Sequence, residues 1–136
     1  ETQVVVRDSL KETVHTFGWY MNQFIRDSKE KGAIPIVLSQ TPRNEWHDNT
    51  VERRSETYCL WSKEAALKEG AFFIDINAAI AAKYEELGKE KVTAFFPKDH
   101  THTGSEGATF NALTIAESVK NAIKTGLEDY IVLPKK

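Results

Sequence analysis

The sequence predicts a single α/β domain built on a parallel sheet. Helical and strand-like patterns alternate at short intervals along its 136 residues, which is typical of this class. Residues 33–39 and 71–76 are largely apolar runs, as expected of strands that are covered on both faces. Gly32 and Gly70 stand just before these runs and are suited to end the preceding helices. The length also fits one domain, since domains usually contain about 100–200 residues.

The first elements follow an ambiguous start. Residues 4–6 are three valines, which fit either a short strand or an anchored loop. A helical pattern runs from Thr13 to Gly32, and apolar residues recur in it at three- and four-residue steps: Val14, Phe17, Met21, Phe24 and Ile25. The strand at 33–39 follows, with Pro35 at its entrance, because proline cannot donate a hydrogen bond within a central strand.

A polar loop, 40–53, separates this strand from the second helix. Ser55 is predicted to cap that helix, which ends before Gly70. After the strand at 71–76, Asn77 is predicted to cap a third helix, because asparagine is a preferred N-cap residue.

A second polar loop, 97–104, precedes the last helix. This helix is predicted to start near Ser105 and to end at Gly126, on the pattern of its apolar residues. The tail, 127–136, is apolar in its middle, and we expect it to dock on another surface.

The number of strands is too small for a complete domain of this class. Doubly wound sheets usually have about five strands or more, and this sequence offers only two clear ones. Two buried parallel strands alone would leave unpaired backbone groups along both sheet edges. Residues 1–136 are therefore predicted to be the second half of a domain.

Composition excludes several classes of protein. The 18 basic and 20 acidic residues nearly balance, which argues against a nucleic-acid partner. No apolar run approaches the roughly 18 residues of a membrane span, so no membrane partner is expected. The first residues lack the basic start and apolar stretch of a signal peptide. The single cysteine, Cys59, permits no internal disulfide or multi-cysteine metal site, and it does not define the compartment.

The strongest chemical signal is the run Asp-His-Thr-His at positions 99–102. It precedes a helix, at the edge of an α/β sheet where ligands bind. Asp99 and His102 are three residues apart, so on a turn the carboxylate can accept a hydrogen bond from imidazole Nδ1. Nε2 would then be available to take a proton from a hydroxyl nucleophile, which is weak without a base.

Other interpretations of this loop stay open at this stage. Asp99 also suits a turn, where aspartate is common. In an extended segment, His100 and His102 would face the same side and could bind a metal ion with Asp99 as a third ligand. Trp46, in the first polar loop, is suited either to stack on a sugar or to cover the core, and nearby Asn44 is a second candidate sugar contact.

Five blocks of the sequence carry a family resemblance. One is Phe-Pro-Lys-Asp-His-Thr-His-Thr at 96–103, and the others lie at 16–20, 39–46, 73–77 and 84–88. In their order they resemble the SGNH (GDSL-like) hydrolases, especially the rhamnogalacturonan acetylesterase branch, and the block at 96–103 is similar to the last motif of that family. The resemblance covers residues 14 to 119.

The resemblance implies a flavodoxin-like, three-layer α/β/α fold and hydrolysis of acetyl esters on a pectic polysaccharide. It implies that Asp99 and His102 are the acid and base members of a Ser-His-Asp triad. It also implies that the enzyme uses no cofactor or metal, and that such a protein is secreted or periplasmic. The implied partner is an acetylated polysaccharide or oligosaccharide.

The nucleophile and oxyanion-hole blocks of the family do not occur in this sequence. Neither the Gly-Asp-Ser block nor the Gly-x-Asn-Asp block is present, and Ser9 follows Arg-Asp instead of Gly-Asp. We therefore expect the nucleophile to lie in an N-terminal half outside this chain. The chain alone should be inactive and poorly folded. Two rival hypotheses are a metal-dependent hydrolase using Asp99, His100 and His102, and a non-catalytic α/β interaction module.

Overall fold

A computed structural model describes residues 2–7 and 10–134 of the protein. The chain divides into two compact units. Residues 1–37 and 61–73 form what we call the first unit, and residues 38–60 and 74–136 form the second unit. In the described residues, no helix is both long and apolar enough to cross a membrane.

The first unit begins with an antiparallel hairpin. Strands β1 (Thr2–Arg7) and β2 (Leu10–Val14) pair with Thr2 opposite Val14. Valine and threonine favour strands because their branched side chains fit a pleated surface. The strand alternative for residues 4–6 is thus confirmed, whereas the predicted helical position of Val14 is wrong.

Helix α1 (Phe17–Glu30) follows the hairpin and packs on a small core. Thr16 caps it, because its hydroxyl oxygen accepts the Trp19 N–H at 3.3 Å. The buried core of the first unit consists of Ile25, Val37, Ala65 and Ala66. Two of these come from helix α2 (Tyr58–Lys68), which starts two residues later than a cap at Ser55 predicts.

The two predicted parallel strands are present but short. Strand β3 spans Ile36–Leu38, strand β6 spans Phe72–Ile74, and the two form one sheet. Strand β6 stops where Asp75 caps helix α3 (Ile76–Leu87), because its carboxylate accepts the Ala78 N–H at 3.0 Å. The N-cap is therefore Asp75, and the prediction of Asn77 is wrong.

Backbone hydrogen bonds give the direction of this pairing. The Phe72 N–H donates to the Pro35 carbonyl at 3.3 Å, and the Ser39 N–H donates to the Ile74 carbonyl at 3.2 Å. Residue numbers rise together along both strands, so the pairing is parallel, as predicted. The carboxyl ends of β3 and β6 consequently lie side by side, which places Ser39 next to the start of α3.

The second unit has a deeper core around Tyr84 of α3. This side chain is fully buried together with Ile80, and its hydroxyl donates to Asn111 Oδ1 at 2.8 Å. Asn111 belongs to helix α5 (Ser105–Ala122), which ends before the predicted stop at Gly126. Tyr84 also stacks on Phe110 with ring centroids 5.9 Å apart. Helix α4 (Lys89–Ala94) contributes Val92, which is completely buried.

Two parts of the second unit differ from expectation. The polar loop contains a short hairpin, β4 (Trp46–His47) and β5 (Thr50–Val51), which was not predicted. In the tail, a 3-10 helix spans Leu127–Tyr130, and the side chain of Val132 is 90% exposed. The predicted docking of the tail is confirmed on α5, because the 3-10 helix contacts α5 and Lys120 Nζ donates to the Ile131 carbonyl at 2.7 Å, whereas Tyr130 and Val132 remain exposed.

Candidate active site

The loop between α4 and α5 forms a tight turn around the Asp99 carboxylate. Its Oδ1 accepts the backbone N–H groups of Thr101 and His102, each at 2.7 Å. Its Oδ2 lies 2.8 Å from His102 Nδ1. Aspartate commonly bonds the backbone two and three residues ahead in such turns. Asp99 therefore acts both as the turn residue and as the partner of the imidazole, so the two interpretations from sequence are compatible.

The tight packing behind this loop depends on two glycines. The Gly104 N–H donates to the Phe95 carbonyl at 2.8 Å and closes the loop. A Cβ atom at Gly104 would meet Pro97 at 3.2 Å, and one at Gly107 would come within 2.6 Å of Phe95 Cβ. The small residues let the start of α5 approach the end of α4, which fixes both ends of the loop that carries Asp99 and His102.

Hydrogen bonding keeps the Asp99 carboxyl ionised. The His102 side chain is the main cause, and the backbone N–H groups of His102 and Thr101 add to it, so that the pKa of Asp99 lies well below its ordinary value of 3.8. An ionised partner on Nδ1 selects the imidazole tautomer that carries its proton on Nδ1. Nε2 is then the basic nitrogen.

The other face of His102 is accessible. The His102 side chain is 79% exposed, and Nε2 makes no hydrogen bond to any residue that the structure describes. Among the same residues, no hydroxyl or thiol is hydrogen-bonded to this imidazole. Ser9 lies outside the described residues. The arrangement thus supplies a base and the carboxylate that orients it, without a nucleophile.

The predicted sugar contacts lie on a segment that joins the same loop. The backbone N–H of Asn44 donates to the His100 carbonyl at 2.8 Å. The indole Nε1–H of Trp46, in β4, donates to Asn44 Oδ1 at 2.8 Å. Asn44 and Trp46 are both partly exposed. The structure therefore brings the two candidate sugar contacts together and links them to the turn that carries the base.

A charged group that sequence reasoning did not identify lies beside this link. The Glu45 carboxylate contacts Arg54 through one oxygen and His100 Nε2, at 3.4 Å, through the other. The hydrogen bond from Arg54 is the main cause of a pKa of Glu45 below its ordinary range. Positions 45 and 54 carry no shared motif, so only the folded structure shows that they meet.

The geometry gives the metal hypothesis no support. In the part of the chain that the structure describes, no group of three histidine, cysteine, aspartate or glutamate side chains converges as metal ligands would. His100 faces Glu45 and Asp99 holds His102. The predicted trio of Asp99, His100 and His102 is therefore not a ligand set here.

The segment that leads to Asn44 is anchored at the ends of the strands. Ser39 donates its hydroxyl to Asp75 Oδ1 at 2.8 Å and accepts the Asn77 N–H at 2.9 Å. The Asn77 side chain in turn donates to the Gln40 carbonyl at 3.1 Å. Ser39 is 3% exposed and bonded to a carboxylate and a backbone amide, so its role here is structural.

Comparison with known proteins identifies two curated relatives, while no protein-family model matches the chain. A rhamnogalacturonan acetylesterase of Emericella nidulans is 34% identical over 119 residues, which are 88% of this chain and 49% of that protein. A probable rhamnogalacturonan acetylesterase of Bacillus subtilis, YesY, is 29% identical over 114 residues, or 80% of this chain and 52% of that protein. The chain thus spans about half the length of the curated relatives it matches.

A solved structure supports the fold. The crystal structure of the Bacillus subtilis protein YXIM superimposes with a TM-score of 0.71 at 23% identity, covering 76% of this chain and 30% of that one. This likeness concerns the fold alone, and it confirms the predicted α/β fold class. The two relatives confirm the predicted resemblance to the rhamnogalacturonan acetylesterase branch.

Proposed function

From its similarity to rhamnogalacturonan acetylesterases, we propose that this chain supplies the base and the orienting carboxylate of a serine-type carbohydrate acetylesterase. The proposed substrate is an acetylated pectic polysaccharide such as rhamnogalacturonan. The observation that carries the proposal is the 2.8 Å contact between Asp99 Oδ2 and His102 Nδ1, on a turn that leaves Nε2 accessible. This is the arrangement that a hydroxyl nucleophile requires.

The proposed reaction has two steps. In the first, His102 Nε2 takes the proton of a serine hydroxyl as the serine oxygen attacks the acetyl carbonyl carbon. The bond to the sugar oxygen then breaks, and His102 returns the proton to that oxygen. In the second, His102 takes a proton from water, and the resulting hydroxide attacks the acetyl-serine. The bond to the serine oxygen breaks, His102 returns the proton to that oxygen, and acetic acid leaves and ionises to acetate. Asp99 stays ionised throughout and stabilises the imidazolium.

The serine is proposed to lie in an N-terminal half of the same domain, outside residues 1–136. Three observations support this. The chain spans about half of its relatives. No described hydroxyl is bonded to His102. The first unit leaves large apolar side chains exposed, including Phe24, Ile34 and Leu67 at 65%, 57% and 66%. Large apolar side chains stabilise a fold when they are buried, so we propose that the remaining half covers these three.

Replacement of the base tests the function directly. In the full-length protein, by which we mean this chain joined to the remaining half, His102→Ala should lower the rate of acetate release by about 10²–10⁴-fold. His47→Ala is the matched control, since His47 is also an exposed histidine paired with a carboxylate, here that of Glu52. Acetate release from acetylated rhamnogalacturonan and from a chromogenic acetyl ester measures both variants. Activity of His102→Ala within a few-fold of wild type would reject the assignment.

A covalent probe separates the esterase from a non-catalytic module. A fluorophosphonate labels a serine only where a base activates it. The full-length protein should therefore be labelled, and its His102→Ala variant should not. Residues 1–136 alone should remain unlabelled and inactive, and adding the remaining half in trans should restore labelling. Labelling of the isolated chain would contradict the proposed location of the nucleophile, and a lack of labelling in the full-length protein would favour the binding module.

A further inference from the structure

We propose that His100 is a positioning residue, which holds the turn carrying Asp99 and His102 in place against the segment of Asn44 and Glu45. The inference rests on the proposed function, because it assigns a role in the same reaction. His100 does not touch the reacting atoms in this proposal. Its effect on catalysis is exerted through the position of the imidazole two residues further on.

Two contacts of His100 with neighbouring positions carry the inference. Its carbonyl accepts the backbone N–H of Asn44 at 2.8 Å. Its ring nitrogen Nε2 lies 3.4 Å from Glu45 Oε1. A single residue of the turn is therefore held by its backbone and by its side chain to two consecutive residues of another segment. This double attachment restrains both the translation and the rotation of the turn.

Glu45, which contacts the His100 ring, is itself held in place by other residues. The second carboxylate oxygen of Glu45 contacts Arg54, and this hydrogen bond keeps Glu45 ionised. Arg54 follows the short hairpin of β4 and β5, so Glu45 is tied to both ends of that hairpin. The backbone repeats the connection, since the Glu52 N–H donates to the Glu45 carbonyl at 2.9 Å. Glu45 thus presents a fixed carboxylate to the His100 ring.

The position of His100 within the turn links these contacts to catalysis. It lies between Asp99, whose carboxylate organises the turn, and His102, whose Nδ1 bonds that carboxylate at 2.8 Å. Any displacement of residue 100 moves both partners together. Errors of about 1 Å in the position of a reacting group can cost about 10²-fold in rate. The contact itself is largely solvated, with the His100 side chain 56% exposed, so its loss should affect geometry more than stability.

The experiment uses the full-length protein with variants on both sides of the contact. His100→Ala and Glu45→Ala each remove it, and the double variant removes both partners. His100→Gln retains a side-chain donor and serves as the conservative variant. His47→Ala removes an exposed histidine from a similar pair with Glu52 and is the matched control. The values of kcat and KM are measured with a small chromogenic acetyl ester, and thermal unfolding is recorded for every variant.

The proposal predicts a defined pattern. His100→Ala and Glu45→Ala should each lower kcat by about 10–100-fold, with KM for the small ester within about twofold and an unchanged unfolding temperature. The double variant should be no worse than the more affected single variant, because both remove the same contact. His100→Gln should recover most of kcat, and His47→Ala should match wild type. The rate of fluorophosphonate labelling should follow kcat.

Several outcomes would overturn the proposal. A wild-type kcat in His100→Ala or in Glu45→Ala would show that the contact does not position the base. A rise in KM alone would make His100 a substrate contact instead. Additive losses in the double variant, or a lower unfolding temperature without recovery in His100→Gln, would show a structural role. If His102→Ala abolishes activity while His100→Ala does not, only the positioning role fails; if wild type neither hydrolyses the ester nor is labelled, the proposed function fails and this role fails with it.

Discussion

In the second unit, Ile80, Tyr84 and Val92 are fully buried, whereas in the first unit Phe24 and Leu67 are each about two-thirds exposed. Burying a large apolar side chain contributes about 1.5–3 kcal/mol, so the two units differ in how far they can stabilise themselves. The second unit also contains Asp99, His102 and all their described partners. The geometry of the candidate base is thus built within the unit that has the deeper core, although Tyr130 and Val132 in the tail of that unit are exposed as well.

The largest expected effect is a loss of catalytic rate with little loss of stability. Asp99→Asn in the full-length protein should lower kcat by about 10³–10⁴-fold, because an amide no longer selects the productive tautomer or stabilises the imidazolium. The unfolding temperature should change little, since the Asp99 side chain is exposed and contacts only its own turn. Steady-state kinetics and calorimetry measure the two quantities. A large drop in stability with modest loss of kcat would show that site and packing are not separable.

Replacing one aromatic ring in each unit by alanine compares how much packing contributes to stability in the two units. Tyr84→Ala in the full-length protein should cost about 3–5 kcal/mol, because it leaves a cavity and an unpaired Asn111 oxygen. Phe24→Ala should cost clearly more than 1 kcal/mol there, although Phe24 is exposed in this structure, because we propose that the remaining half covers it. Urea unfolding gives both values. A negligible cost for Phe24→Ala would mean that solvent, and not protein, covers this face.

Two glycine substitutions compare the packing of the two units through smaller changes in stability. Gly107→Ala should destabilise the second unit by about 1–3 kcal/mol, because its new Cβ would lie 2.6 Å from Phe95 Cβ. Gly18→Ala in α1 meets nothing within 4 Å and should stabilise the protein by up to about 1 kcal/mol. Chemical denaturation measures the change in the free energy of unfolding for each variant. Equal changes would contradict the tighter packing around Gly107 than around Gly18.

The smallest expected effect is the persistence of the Asp99 turn in mild acid. The pKa of Asp99 in the folded protein lies below its ordinary value, so its bonds are fully present above pH 3.8 and are lost only as the pH falls through the lowered value. Between pH 7 and pH 5, the amides of Thr101 and His102 should therefore keep their protection from hydrogen exchange. NMR of the full-length protein measures this protection, with Asp99→Ala as the unprotected control. Loss of protection at pH 5 would show that the carboxylate does not hold the turn.

Local patterns account for what the sequence predicts correctly about the fold. The apolar runs locate β3 and β6, and helical periodicity locates α1, α2, α3 and α5. The β1–β2 hairpin was missed because pairing of Thr2 with Val14 overrides the helical spacing of Val14. For the β4–β5 hairpin a signal did exist. Asp48 and Asn49 separate its strands, and Asp48 adopts the left-handed conformation, φ 54°, that aspartate tolerates.

In the candidate site too, contacts between neighbouring residues are predictable from the sequence, whereas contacts between distant segments are not. Asp99 and His102 are three positions apart, so one turn can join them and spacing alone suggests the pair. The contacts of His100 with Asn44 and Glu45 join segments that are remote in the sequence. No periodicity or motif in the sequence predicts such contacts. Sequence reasoning accordingly assigned His100 to a metal hypothesis, whereas the fold places it against a carboxylate that Arg54 already neutralises.

Cys59 has a practical consequence that follows from its uniqueness. It is the only cysteine in the sequence, and it lies buried in the first turn of α2. A thiol reagent can react with it only when this turn opens, so each labelling event reports one local opening at one known position. The rate of modification under native conditions therefore measures how often the start of α2 opens. Comparing that rate before and after the remaining half is added would show whether this half stabilises the helix, without introducing any label by mutation.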